Sequence, residues 1–279
     1  MMIIGILMVF LLEQLEFTIK FRKIVYTSIL KYIQFFINKD FKYQKEIRFA
    51  YVLAIIPILA ILISFKIFLT GGLLILFKLL LLISFIQILS WKKEAKHTSK
   101  HNKNFTFIET FAVNFFAPLF WYWVLPCGIG MVTYVMVMII SEQFKHKNLD
   151  SVVYNVVVDK MMFYVNFIPY CLLYIFIALA GDFEHVSHYL LNQRKNFTKG
   201  FYFLNRVLYD VILIAINRDN YEETLHEYYD GVESGITPGA KLSVDMVPYI
   251  VAVLYRAGLF FLMGIGLFTI AHFFGLIAR

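Results

Sequence analysis

Six long apolar runs dominate the sequence, and no other feature limits its fold so strongly. They cover residues 1–19, 49–69, 73–90, 116–140, 161–180 and 250–277. A helix of about 20 apolar residues crosses the hydrocarbon core of a bilayer. The composition agrees, because 60% of the residues are hydrophobic and only 16% are charged, which excludes an ordinary soluble domain of 279 residues. The sequence therefore predicts an all-α, polytopic membrane protein that forms a single integral-membrane domain.

Basic residues predict the orientation of these spans. The segments 20–48 and 91–115 contain eight and five Lys or Arg residues, respectively. Loops rich in these residues stay on the cytoplasmic side. We therefore expect 20–48, 91–115 and 181–249 to be cytoplasmic loops, and both termini to lie on the opposite side. The net charge of +7 then reflects topology and contact with anionic lipid, rather than nucleic acid.

Two loop segments are expected to be helical. Within 20–48, apolar residues recur near helical spacing between lysines, which predicts an amphipathic helix on the inner leaflet, with a solvated linker as the alternative. The apolar stretch 201–216 predicts a helix docked on the bundle. The following stretch, 218–233, is acidic and polar.

The fourth apolar run is interrupted near its middle by Pro126, Gly128 and Gly130. A plain proline kink explains this pattern. The alternative is a discontinuous membrane helix, whose freed backbone groups must be satisfied by protein or by a cavity that binds a ligand. Asn114 and Asn166 are further candidates, because each adjoins a Pro-containing helix entry, at Pro118 and Pro169.

A short acidic and histidine-containing stretch follows the fifth run. His185 and His188 are three residues apart beside Asp182 and Glu184, which is chemically adequate for a divalent metal. The pattern is not that of the zinc proteases, and an acidic helix start explains the carboxylates through the helix dipole alone. We therefore predict no metal site and keep the two histidines as weak candidates.

Three motifs carry a family resemblance: Leu12-Glu-Gln, Ala117-Pro-Leu-Phe-Trp121 and Asn166-Phe-Ile-Pro169. Together they resemble the CobD/CbiB and AmpE superfamily of bacterial inner-membrane proteins. The stretch Glu109-Thr-Phe-Ala-Val-Asn114 is similar to the family's Glu-Ser-Val-Ala-Glu-Asn. The resemblance implies a bacterial inner membrane, with both termini periplasmic. For an enzyme of this family it implies an adenosylcobinamide-phosphate synthase, which forms an amide from adenosylcobyric acid and aminopropanol phosphate with ATP and Mg²⁺. The candidate catalytic residues are then Glu109, Asn114 and Asn166.

The chain departs from the synthases at two arginines. The residue after Tyr134 is valine, and Cys171 stands two residues past Pro169, where the enzymes carry arginine. Arginine suits substrate phosphates, so its loss weakens the synthase interpretation. AmpE-like members are similar in lacking these arginines, which implies a regulatory modulator of cell-wall recycling and β-lactamase induction, without a cofactor.

Such a regulator would act through a cytoplasmic protein partner at 181–249, and a homo-oligomer is compatible with it. Its ligand would occupy the broken fourth helix or the motifs beside it. A synthase with a diverged site and a small-molecule or lipid transporter remain the alternatives. The candidate binding residues are Pro118, Trp121, Pro126, Gly128, Gly130, Tyr134, Pro169, Asp182 and Glu184.

Overall fold

The computed structural model describes residues 16–37, 44–69, 71–85, 106–125, 128–147, 152–216 and 246–273, and these residues form helices and no strand. The α-helices are α1 Glu16–Ile37, α2 Gln44–Phe68, α3 Gly71–Phe85, α4 Thr106–Thr110, α5 Ala117–Val124, α6 Ile129–Lys147, α7 Val152–Ala180, α8 Phe183–Gln193, α9 Phe201–Ile216 and α10 Val247–Phe273. A π-helical turn, Phe111–Phe116, joins α4 to α5, and a 3₁₀ segment, Arg194–Lys199, follows α8. The predicted all-α fold class is confirmed for these residues.

Four helical segments in the described part of the chain are long and apolar enough to cross a membrane. They are Lys45–Phe65, Phe107–Val124, Asn155–Ala180 and Val247–Ala271. Gly72–Leu82 and Ile129–Phe144 are apolar but shorter. This pattern is that of an α-helical membrane protein. The predicted first span, 1–19, lies outside the described residues except for the start of α1. Residues 91–105 and 217–245 of the predicted loops also lie outside them.

The predicted fourth span differs most from the structure. Helix α5 ends at Val124 and α6 begins at Ile129, so the chain breaks instead of kinking, and the kink interpretation is wrong. The helical path on the N-terminal side of the break starts at Thr106, ten residues before the predicted span. The reason is that a π-helical turn joins α4 to α5. Residues 106–115, which were predicted to belong to a cytoplasmic loop, are therefore part of an apolar helical path.

The chain divides into two compact units. Unit 1 comprises Met1–Ile88 and Ala117–Asn166, and its described helices are α1, α2, α3, α5, α6 and the first part of α7. Helix α1 packs against α2, α3 and α6 and buries Ile33 completely, so the solvated-linker interpretation of this segment is wrong. Tyr51 on α2 and Ser141 on α6 share a buried hydrogen bond of 2.9 Å, which holds these two helices together.

Unit 2 comprises Leu89–Phe116 and Phe167–Arg279. Aromatic side chains form much of its core: the ring of Phe261 on α10 lies 4.7 Å from that of Phe116 and 5.7 Å from that of Phe176. Helix α9 packs against α8 and α10 and buries apolar residues at helical spacing, which confirms the helix predicted at 201–216. The same buried face contains one charged residue, Asp210.

Candidate functional site

Two of the predicted site residues, Tyr134 and Asn166, form a buried pair in unit 1. The Tyr134 hydroxyl on α6 donates to Asn166 Oδ1 on α7 at 2.8 Å. The amide nitrogen of Asn166 donates to the carbonyl oxygen of Met162 at 2.8 Å and lies 4.0 Å from the sulfur of Met138. Asn166 is fully buried, and both ends of its amide have partners. A buried amide that is satisfied in this way fixes the relative position of two helices.

The motif residue Trp121 contributes a second polar contact in the same unit. Its indole nitrogen, at the end of α5, donates to the carbonyl oxygen of Val165 at 2.9 Å. That carbonyl lies one residue before Asn166 on α7. Trp121, Tyr134 and Asn166, which the sequence separates by up to 45 positions, therefore meet on one stretch of α7.

Glycines build the break that lets α5 and α6 pack against each other. Gly128 has a φ of +75°, a conformation that favours glycine. A side chain on Gly130 would meet the backbone oxygen of Trp121 at 2.4 Å. The break is therefore a close approach of two helix ends, and Gly130 is required for it. The predicted binding residue Pro126 lies outside the described residues, and Pro118 is buried on α5.

The third predicted catalytic residue, Glu109, belongs to unit 2. Its Oε1 accepts a hydrogen bond of 3.0 Å from Asn205 on α9, and Asn205 Oδ1 accepts one of 2.6 Å from Tyr170 on α7. The carboxylate is half-buried. Tyr209, one turn after Asn205, lies close enough that burial and the charge of Glu109 raise its pKa. Glu109 is thus part of an ordered polar chain that crosses three helices.

A second polar group of unit 2 surrounds Asp210 on α9. The Tyr189 hydroxyl of α8 donates to Asp210 Oδ2. Oδ1 is buried and has no hydrogen-bond partner within the described parts of the chain. Burial raises the pKa of Asp210 from 3.8 to about 6, while the Tyr189 hydrogen bond and the charge of Arg206 act in the opposite direction. Tyr174 also faces this group, and its hydroxyl donates to the carbonyl oxygen of Leu204 at 2.7 Å.

The remaining candidates near these groups make fewer contacts. Asn114 lies in the π-helical turn, is half-buried, and makes no side-chain hydrogen bond to another described residue. Pro169 lies inside α7 and is buried. Helix α7 continues through it, so this proline serves packing in unit 2 instead of ending the helix.

The acidic and histidine-containing stretch forms the start of α8. Asp182 caps the helix by accepting from the backbone nitrogen of His185 at 3.2 Å, as an acidic helix start predicts. Its other oxygen lies 2.9 Å from His185 Nδ1. Glu184 is exposed, and His188 lies beside Asn192 at 3.3 Å. Among the described residues, no three His, Cys, Asp or Glu side chains form a group suited to a metal ion.

Sequence reasoning missed the polar residues of α9. Asn205, Arg206 and Asp210 lie within an apolar helical stretch, and the spacing of Arg206 and Asp210, four residues apart, suggests an exposed ion pair. The signal that could have found Asp210 is its position: it shares a helical face with the apolar residues Val207 and Ile214, which are buried.

Comparison of the chain with protein-family models, with curated proteins and with solved structures finds no match.

Proposed function

We propose that this chain is a regulatory membrane protein of the AmpE type, which modulates cell-wall recycling and β-lactamase induction without a synthase reaction of its own. The proposal starts from the three motifs that resemble the superfamily, and it includes that family's bacterial inner membrane. The same proposal includes the topology of the chain: six spans, periplasmic termini, and cytoplasmic loops at 20–48, 91–115 and 181–249. The distribution of Lys and Arg in the sequence is the basis for this topology.

The observation that carries the proposal is that the side-chain amide of Asn166 is buried and hydrogen-bonded within the protein. Its amide oxygen accepts from Tyr134, its nitrogen donates to Met162, and the side chain is 0% exposed. A catalytic amide must offer a polar atom to its substrate in the reacting complex. An amide whose groups are already bonded to the protein stabilises the fold instead, and this favours a structural role for the motif over a role in amide synthesis.

The proposed partner surface lies on α8 and α9, in the segment 181–249. Three large apolar side chains there are mostly exposed: Phe183 at 55%, Leu191 at 64% and Tyr202 at 63%. Neither helix is among the candidate membrane spans. In the proposed topology these helices belong to a cytoplasmic loop, where exposed apolar residues are typical of a surface that binds another protein.

The synthase is the second candidate, and Glu109 is the observation in its favour. This carboxylate is half-buried and held by Asn205, which is itself held by Tyr170. A positioned, partly accessible carboxylate can act as a base or bind Mg²⁺ together with substrate phosphates. In that case ATP and Mg²⁺ would be required, and Glu109 and Asn114 would carry the chemistry.

An induction assay tests the regulatory proposal. The gene is deleted in its own bacterium, which carries an inducible β-lactamase reporter, and hydrolysis of a chromogenic cephalosporin is followed after exposure to a β-lactam. We expect deletion to change the induced activity several-fold and the wild-type gene to restore it. Leu191→Glu or Tyr202→Glu should fail to restore it, because a carboxylate disrupts an apolar binding surface.

Ser28→Glu is the matched control, since it places the same charge at an exposed position of α1 in unit 1. It should restore induction fully. Membranes containing the protein are also incubated with adenosylcobyric acid, aminopropanol phosphate, ATP and Mg²⁺. Unchanged induction after deletion contradicts the proposal. Formation of adenosylcobinamide phosphate that is lost in Glu109→Gln would establish the synthase in its place.

A further inference from the structure

The contact between α8 and α9 contains a charged group that the proposed function does not use. Asp210 is 2% exposed and lies on the apolar face of α9. Tyr189 is the residue of α8 that reaches it, and its hydroxyl donates to Oδ2. Tyr189 is itself buried, at 6% exposed. The Tyr189–Asp210 pair is therefore a buried polar contact between α8 and α9.

The carboxylate is incompletely satisfied in this position. An ionised carboxylate has about four acceptor sites on its two oxygens, and Oδ1 has no hydrogen-bond partner among the described residues. A buried acceptor that is not hydrogen-bonded costs about 1–3 kcal/mol, and more when the group is charged. A proton on the carboxyl group removes the charge, while Oδ2 can still accept from Tyr189. The closed contact therefore favours the protonated form.

Few charged or titratable groups lie close enough to Asp210 to affect its protonation. The titratable or charged groups that face Asp210 within the described residues are Arg206 on α9 itself, Tyr189 on α8 and Tyr174 on α7. The buried face of α10, which also packs on α9, contains only apolar residues and glycine in its described part. Arg206 is half-exposed and offsets the charge of the carboxylate only in part.

We propose that Asp210 is a proton-binding site that controls the contact between α8 and α9: the proton closes the contact, and its loss loosens α8. The direction follows from linkage, because a conformation that buries an unsatisfied carboxylate binds the proton more tightly than one that exposes the carboxylate to water. Burial raises the pKa of the closed form to about 6, so the transition falls within the physiological range. The inference is independent of the proposed partner and of the AmpE-type role.

Hydrogen exchange of α8, measured by mass spectrometry on the full chain in nanodiscs, tests the proposal. With a pKa of 3.8 when exposed and about 6 when buried, linkage predicts about tenfold more opening near pH 7.5 than near pH 5. The rates are corrected for the intrinsic pH dependence of exchange. Asp210→Asn, which mimics the protonated group in shape and charge, should exchange slowly at both pH values.

The histidines of α8 provide the necessary control, since they lie on the helix whose exchange is measured. His185 and His188 are exposed, and the double variant His185→Asn, His188→Asn should keep the full pH dependence. Wild-type exchange that does not change with pH, a pH dependence that persists in Asp210→Asn, or one that disappears in the histidine variant would each overturn the proposal.

A second measurement does not depend on how the variant folds. Infrared difference spectra of the wild-type protein between the two pH values should show a protonated carboxyl band that appears on acidification with a midpoint near 6. Carboxylates in water are protonated near pH 4. A spectrum in which every carboxyl band has its midpoint near 4 would contradict the proposal.

Discussion

The Tyr134–Asn166 pair of unit 1 and the Tyr189–Asp210 pair of unit 2 use the same contact, in which a tyrosine hydroxyl donates to a buried side-chain oxygen. They differ in what remains after that contact is made. The amide of Asn166 also donates to Met162. Asp210 has a second oxygen that finds no donor among the described residues, and it has a charge as well. The first pair is fully hydrogen-bonded without a titratable group, whereas the stability of the second depends on protonation of Asp210.

This difference shows how one amino-acid choice changes the character of a helix contact. An amide contains its own donor and acceptor, so a neighbouring backbone carbonyl and a hydroxyl suffice to satisfy it. A carboxylate contains acceptors only, and in apolar surroundings protonation is the remaining way to lower its cost. Four predictions test this comparison, beginning with the largest expected effect.

Gly130, where α5 and α6 approach each other closely, should tolerate substitution least among the positions tested in unit 1. We expect Gly130→Ala to lower the free energy of unfolding by about 3 kcal/mol, because its Cβ would lie 2.4 Å from the Trp121 carbonyl oxygen. Denaturant unfolding of the purified protein in micelles measures the loss. Gly264→Ala is the control, since nothing lies within 4 Å of its Cβ, and it should not destabilise. Equal stability of the two variants would refute the steric account.

Loss of the Asn166 hydrogen bonds should have the next largest effect on stability. We expect Asn166→Ala to destabilise by about 2–3 kcal/mol, because the Tyr134 hydroxyl and the Met162 carbonyl lose their buried partner. The same unfolding assay is used, with Asn114→Ala as the control, since Asn114 makes no side-chain hydrogen bond to another described residue. A loss at Asn114 as large as that at Asn166 would remove the distinction on which the structural role of Asn166 depends.

The stability of unit 2 should depend on pH through Asp210. Its pKa in the folded chain, about 6, lies above the 3.8 of an exposed aspartate. Between these values the folded chain binds a proton that the unfolded chain releases. The contribution of this group to stability is therefore present below about pH 4 and is lost as the pH rises to about 6.

Asp210→Asn removes the ionisable group, so the variant should not lose stability through this position as the pH rises. We expect the variant to be more stable than the wild type by about 2 kcal/mol near pH 7.5, with little difference near pH 4. Paired unfolding curves at the two pH values measure the effect. A variant that is less stable than the wild type near pH 7.5 would show that the ionised carboxylate stabilises unit 2 and would make its pair equivalent to that of unit 1.

The smallest effect should come from single hydroxyl groups in unit 1. We expect Tyr134→Phe to cost about 1 kcal/mol, because Asn166 Oδ1 loses its donor in a buried site. Tyr164→Phe on α7 should change stability by less than about 0.5 kcal/mol, since this side chain is 67% exposed. Thermal unfolding of both variants in one detergent provides the comparison. A neutral Tyr134→Phe would mean that the hydroxyl is not needed to satisfy Asn166.

Local signals in the sequence predicted much of the fold. The apolar runs identified helices that can cross a membrane, and the apolar stretch 201–216 predicted a helix with the observed bounds of α9. The acidic residues after α7 predicted the start of α8, where Asp182 caps the helix. Each of these features depends on residues within one or two helical turns, and so composition and spacing are sufficient to recognise them.

The break after Val124 and the polar contacts were decided by the tertiary structure. Pro126 and Gly128 are compatible with a kink or with a break, and the close packing of α5 on α6 selects the break. Asn166 was a candidate for catalysis until its partner, 32 positions earlier in the chain, was known. The spacing of Arg206 and Asp210 is equally compatible with an exposed ion pair and with the buried carboxylate that the structure contains. Whether a polar atom is satisfied depends on the groups that distant segments bring to it, and local sequence contains no record of them.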